Sequence, residues 1–219
     1  MEKFFRPVIF ALAIMLTGCF TSCSIDNDDD SSNTKKILTS LERKEQVAAI
    51  AGNYQGIIYF TNDTTMQIDS INCNWQVTAP DSMLRMADFP VSVFAMGIRN
   101  VEARKVLLNG GVTEFRGTLF PYVNDYVEKG YYTFLLEPVD YVLNFNVDLE
   151  GTSHTVKVDF TNQMYAYAST GSTAIFYSVG EYYNHKLLSY ILVKDVVVDG
   201  MPFDTGWTTY IYGEKSQIP

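Results

Sequence analysis

The side chains of this chain with ready chemistry are three cysteines, two histidines and a surplus of carboxylates, 25 Asp and Glu against 16 Lys and Arg. A thiolate is the strongest nucleophile among them near neutral pH. Cys19 and Cys23 close two similar tetrapeptides, Leu16-Thr17-Gly18-Cys19 and Phe20-Thr21-Ser22-Cys23. Small residues before a cysteine let an extended backbone enter a peptidase, and the thiolate then accepts an acyl-bearing group. Cleavage and lipidation are therefore expected at Cys23, with Cys19 as the alternative. Cys73 is of another kind: Ile71, Cys73, Trp75 and Val77 alternate with polar residues, the pattern of a buried small hydrophobe on a strand. With Cys23 acylated and the leader removed, only Cys73 remains, so no intramolecular disulfide is expected.

Proton-transfer chemistry has thin support. His154 and His185 lack neighbours at metal-ligand or triad spacing, and each is expected to make only surface hydrogen bonds. The chain contains no nucleophile elbow, phosphate-cradling glycine loop or zinc helix. No cofactor, metal or catalytic residue is predicted. The alternatives are a glycan hydrolase with two converging carboxylates, for which sequence spacing names no pair, and a structural subunit of a cell-surface assembly. Aromatic residues supply the other functional signal. Tyr182, Tyr183, Trp207 and Tyr210 are the candidate binding residues, since Tyr and Trp combine a flat apolar face with a polar tip. A glycan, a peptide or an apolar molecule is the kind of ligand such faces take. Nucleic acid is excluded as a partner, because the chain carries a net charge of −9 and no basic cluster.

The elements that must position these residues fall into three parts. Residues 1–22 read as a signal peptide: Lys3 and Arg6 precede an apolar run, Val8 to Leu16, too short for the ~20 residues of a membrane span. Residues 23–38 read as a flexible tether, rich in Asp, Ser and Asn, that buries too little apolar surface to order itself. Residues 39–219 read as one β-rich domain, large enough to fold as a soluble monomer without metals or disulfides. Its first element is a helix announced by the capping box Thr39-Ser40-Leu41-Glu42 and stopped at Gly52.

Period-two patterns dominate the rest. Tyr141, Leu143, Phe145, Val147 and Leu149 share a face, Gly151-Thr152-Ser153 turns, and Val156, Val158 and Phe160 return. Asn109-Gly110 and Asp199-Gly200 signal two more hairpins. Val91, Phe94, Ala95 and Ile98 behind Pro90 have helical spacing and predict one short internal helix. Lys186, Lys194 and Asp195 flank an apolar stretch and are read as guards of a sheet edge. The fold class is mainly β: an antiparallel sandwich or a calycin-like barrel with a leading helix.

Two resemblances sharpen these expectations. Leu16-Thr17-Gly18-Cys19 resembles the lipobox of bacterial lipoproteins, and Cys23-Ser24 followed by Asp26, Asp28, Asp29 and Asp30 resembles the start of mature surface lipoproteins of Bacteroidetes. With the segment Val47 to Gly56, the Phe89-Pro90 segment and the length, the chain resembles a family of uncharacterised lipoproteins of gut Bacteroidetes, the domain of unknown function 4840 type. The resemblance implies a protein anchored in the outer membrane through N-terminal acyl chains, facing the periplasm or, by preference, the cell surface. It implies no catalytic residue. Gly52-Asn53-Tyr54 is also similar to the Gly-x-Trp first strand of lipocalins, with Tyr54 at the tryptophan position.

Overall fold

A computed structural model describes residues 37–62, 67–123, 130–160, 164–167, 172–175 and 178–216, without the side chains of 61, 62, 67, 164–167, 172–175 and 204–208. Cys19 and Cys23 lie outside the described residues, as does the side chain of Trp207. The described fold lies within the unit Lys36–Pro219.

The first helix, α1 (Ser40–Ile50), begins as its capping box requires: Glu42 N donates to Thr39 Oγ1 at 3.2 Å and Thr39 N donates to Glu42 Oε2 at 2.8 Å. It buries Val47 and Ile50. Among the described residues thirteen strands follow: β1 (Gly52–Asn62), β2 (Gln67–Asn72), β3 (Trp75–Thr78), β4 (Met83–Pro90), β5 (Val112–Tyr122), β6 (Tyr132–Pro138), β7 (Val142–Leu149), β8 (Thr152–Asp159), β9 (Met164–Tyr167), β10 (Ser172–Ile175), β11 (Ser178–Tyr183), β12 (Lys186–Val198) and β13 (Met201–Lys215). Among the described residues no helix is long and apolar enough to cross a membrane.

Eight of these strands close a barrel. Pairing runs β11-β6-β5-β4-β3-β1-β13-β12, and β12 returns to β11. All the pairings are antiparallel, the last strand meets the first (Tyr54 opposite Lys215, Ile58 opposite Ile211), and the barrel, not the sandwich, is the outcome. An eight-stranded barrel is just wide enough for side chains to fill. Register places Tyr54, Ile58, Trp75, Leu84, Met86, Phe134, Leu136 and Ile211 inside, all buried. Bare backbone makes room for the largest rings. A Cβ on Gly56 would sit 1.6 Å from Trp75 Cζ3, and one on Gly180 would sit 2.1 Å from Phe134 Cε2.

One barrel mouth is closed by α1. Tyr54 donates its hydroxyl to the Ile50 carbonyl, and Lys215 Nζ donates to the Ala49 carbonyl at 3.1 Å. Burial raises the Tyr54 hydroxyl pKa and lowers that of the Lys215 ammonium. The other structural layer grows from the far half of β12, where Asp195–Val198 pairs with β8 and β8 pairs with β7. This three-stranded extension packs its apolar face onto a 3-10 turn (Val91–Ala95), with the Phe94 ring 6.3 Å from Phe145 and 6.0 Å from Phe160.

Two expectations are corrected. Val106, Leu107 and Leu108 form no strand: they end a helix, α2 (Val101–Leu108), and Asn109-Gly110 terminates that helix instead of turning a hairpin. The reason is local. Asn100 accepts the Ala103 N–H at 3.0 Å as N-cap, good helix formers follow, and Asn109 Nδ2 donates to the Lys105 carbonyl at 2.8 Å. The predicted internal helix at Pro90 is this 3-10 turn, with α2 following it. Lys186 and Asp195 guard no edge, because each is paired on both sides, Lys186 to β13 and β11 and Asp195 to β13 and β8, while Lys194 sits at the register shift between Val193 and Asp195. Lys186 pairs with Glu214 at 3.3 Å and Lys194 with Asp159 at 3.7 Å.

Candidate functional site

Buried side chains of the described residues face into the barrel, and a groove lies outside it on the extension. In β7, Asn144 and Asn146 point away from the apolar face; their neighbours across the ladder are Lys157 and Thr155 of β8, and Val197 of β12 continues the row opposite Lys157. With Gly200 of the β12–β13 turn these residues line an open groove of about 450 Å³. Its walls present two carboxamides, a hydroxyl and an ammonium, which together donate and accept hydrogen bonds, over an apolar patch at Val197. Asn144, Asn146, Thr155 and Lys157 are all exposed.

The groove's rim is fixed by a clamp that sequence spacing hid. His154 Nδ1 lies 2.7 Å from Asp199 Oδ2, and Asp199 Oδ1 accepts the Thr155 N–H at 2.9 Å. The two residues are 45 positions apart and meet because the β12–β13 turn folds back on β8. The hydrogen bond from His154, then that from the Thr155 amide, hold the Asp199 carboxyl below the usual carboxylate range. His154 therefore has an acidic partner, though as a clamp between turn and strand. Asp199 is bound more favourably as the anion in the folded state, so its contribution is present above the unfolded carboxyl pKa of about 3.9 and is lost as pH falls through the lower folded value. Asp199→Asn is expected to flatten the acid limb of stability below about pH 4, as read by urea unfolding at each pH.

The three aromatic candidates whose side chains are described, Tyr182, Tyr183 and Tyr210, do not form one site, and the Trp207 side chain lies outside the described residues. Tyr182 is 6% exposed and faces the barrel interior, stacked on Tyr132 at 6.1 Å beneath Lys215 Nζ. Tyr183 faces out, 47% exposed, its ring 5.7 Å from Tyr131, whose hydroxyl donates to Glu181. Tyr210 is 41% exposed on the outer wall, 6.3 Å from Tyr190. Adjacent residues on a strand face opposite sides, which separates Tyr182 from Tyr183. Burial, aided by the Asp88 charge, pushes the Cys73 thiol up to about 11, in keeping with a packed and inert side chain. Among the described residues no cluster of His, Cys, Asp and Glu could hold a metal ion.

Comparison with known proteins gives one finding and two blanks. A family model described as Domain of unknown function (DUF4840) matches residues 49–197, from the last turn of α1 into β12. No curated protein matches the chain, and no solved structure does.

Proposed function

The chain belongs to the DUF4840 family, whose description names no activity, and from that premise we propose a function read from its own leader and surface. It is an exported protein held on the outer membrane by acyl chains on Cys23, or on Cys19, and its barrel is a scaffold for binding a polar ligand. The single observation that carries the reading is the open, polar groove on the β7–β8–β12 extension, set beside a barrel into which the described residues turn buried apolar side chains. Small-molecule sites are concave, with a few placed polar groups. Asn144, Asn146, Thr155 and Lys157 supply such groups, and the ligands they suit are hydroxyl-rich or carboxylate-bearing, as in a short glycan or an acidic peptide. The anchor would keep the groove outside the cytoplasm, since one acyl chain holds only marginally and two or more hold durably.

Two measurements test the two halves of this reading separately. Metabolic labelling with a palmitate analogue should mark the wild type and fail on the Cys19→Ala/Cys23→Ala variant, which should also leave the membrane fraction; unchanged labelling refutes the anchor. For the groove, the wild type and the Asn144→Leu/Lys157→Ser variant are applied to arrays of oligosaccharides and of acidic peptides. Loss of two hydrogen bonds, one of them charge-assisted, should weaken any captured ligand by about thirtyfold or more. Capture that survives the double substitution places the ligand elsewhere, with the exposed Tyr183 and Tyr210 the next residues to change.

A further inference from the structure

We infer that β7 is a self-pairing edge, through which two copies of this chain join antiparallel with Phe145 of one opposite Phe145 of the other. The observation behind it is the direction of the backbone. Phe160 N donates to the Tyr141 carbonyl at 2.8 Å, and in an antiparallel ladder such pairs alternate. The N–H and C=O groups of Leu143, Phe145, Val147 and Leu149 therefore face β8, while those of Val142, Asn144, Asn146 and Asp148 face outward. Among the described residues β7 ends the sheet order, with no strand beyond it.

Natural sheets protect such edges with Lys, Pro, bulges or local caps. β2 has one. Cys73 N donates to the Gly56 carbonyl at 2.9 Å, which by the same alternation turns the Ser70 N–H outward, and the Asp69 carboxylate takes that N–H at 2.8 Å. β7 has none of these: its sequence, VLNFNVDL, holds no Lys, Arg or Pro, and its register with β8 is unbroken over eight pairs.

A second copy is the occupant that the sequence of the edge favours. Centring the pair on Phe145 sets Asn144 against the partner's Asn146 and Val142 against the partner's Asp148, so all four outward residues find mates and no carboxylate on the strand meets another. Asp140 and Glu150, which come opposite each other at the ends, are already neutralised by Arg116 and Lys105, each at 2.8 Å. The overall charge of −9 repels at long range but is screened beyond about 8 Å at physiological salt. One strand pair buries far less than the roughly 1,000 Å² of a stable interface, so the dimer is weak and concentration-dependent. Confinement on a membrane, under the anchoring reading above, would raise the effective concentration; the pairing itself does not depend on that reading.

The test uses the full chain solubilised in detergent, with sedimentation equilibrium and amide hydrogen exchange across a hundredfold range of protein concentration. A monomer–dimer equilibrium is expected, with the amides of Val142, Asn144, Asn146 and Asp148 gaining protection only at the concentrated end. Asn146→Pro removes an N–H that β8 does not use. It should weaken dimerisation about thirtyfold, from two lost hydrogen bonds per dimer worth roughly fivefold each, with the unfolding midpoint nearly unchanged. Asn144→Lys, which plants a charge on the edge, should act in the same direction. A monomer at every concentration with the four amides unprotected overturns the proposal. So does protection independent of concentration, which would mean the chain covers its own edge, and so does a dimer indifferent to both substitutions.

Discussion

Gly56→Ala should leave little folded protein, at a cost of about 3 kcal/mol or more, because the added methyl has nowhere to go. Its Cβ would lie 1.6 Å from Trp75 Cζ3 and 2.5 Å from the Cys73 carbonyl oxygen, and the second of these is backbone. The indole cannot swing aside. Gly213 lies against its other edge, where a Cβ would be 2.5 Å from Trp75 Cζ2, and Tyr54 stacks on it at 5.8 Å. Against a total stability of roughly 5–15 kcal/mol, that loss is decisive for a marginal domain. Gly180→Ala gives the controlled version, since its nearest neighbours are all atoms of the Phe134 ring, at 2.1 and 2.2 Å for the closest two. Each single change, Gly180→Ala or Phe134→Leu, should destabilise in urea unfolding, and the double variant should recover much of the first loss. Strictly additive costs would show that the ring and the glycine are not fitted to each other.

Phe94→Ala has the second large effect and a more selective one. Phe94 is fully buried between the barrel and the extension, 5.3 Å from Phe89 on one side and 6.0 Å from Phe160 on the other. Truncating such a ring costs about 3–5 kcal/mol. The loss should be uneven, because the barrel closes on itself without Phe94 whereas β7 and β8 are held at one side only, by β12. Hydrogen exchange in Phe94→Ala is therefore expected to accelerate in Leu143–Leu149 and Thr155–Phe160 well before it does in β1 and β13. Equal acceleration throughout would mean that barrel and extension unfold as one unit. Since Asn144, Asn146, Thr155 and Lys157 ride on the extension, the same variant should weaken any ligand of the groove without touching a groove residue.

Much of this architecture is legible in the sequence, and the reasons differ from place to place. The capping box at Thr39 and the hairpin at Gly151 are set by neighbours in sequence; the first stands as read, and the second turns at Glu150-Gly151, with Thr152 and Ser153 already in β8 and not in the turn. Glu150 and Gly151 have φ of 51° and 81°, the left-handed pair a two-residue turn needs. Asn109-Gly110 carries the same dipeptide signal as a hairpin, but an N-cap nine residues earlier decides the segment for helix. The opposite failure occurs at Asn184-His185, where φ of 48° and 64° turn β11 into β12 without any glycine to announce it. Barrel against sandwich turns on whether β13 meets β1, a contact between the two ends of the domain that no local pattern encodes. The groove and the His154–Asp199 clamp were invisible for the same reason: their members come from β7, β8 and the β12–β13 turn.

The closing seam between β1 and β13 also governs the order of events as the chain is made. Tyr54 finds Lys215 only across nearly the whole domain, and contacts of such high sequence separation slow folding because loop entropy is lost before they form. Until Met201–Lys215 has been synthesised, β1 and β12 both lack the neighbour that seals them, and Trp75, Ile58 and Leu187 face an open trough. Partly built sheets of this kind are sticky. A chain that leaves the ribosome amino terminus first must then wait without a finished barrel, in the keeping of whatever holdase meets it. The carboxy-terminal strand acts as the latch whose arrival ends that dependence.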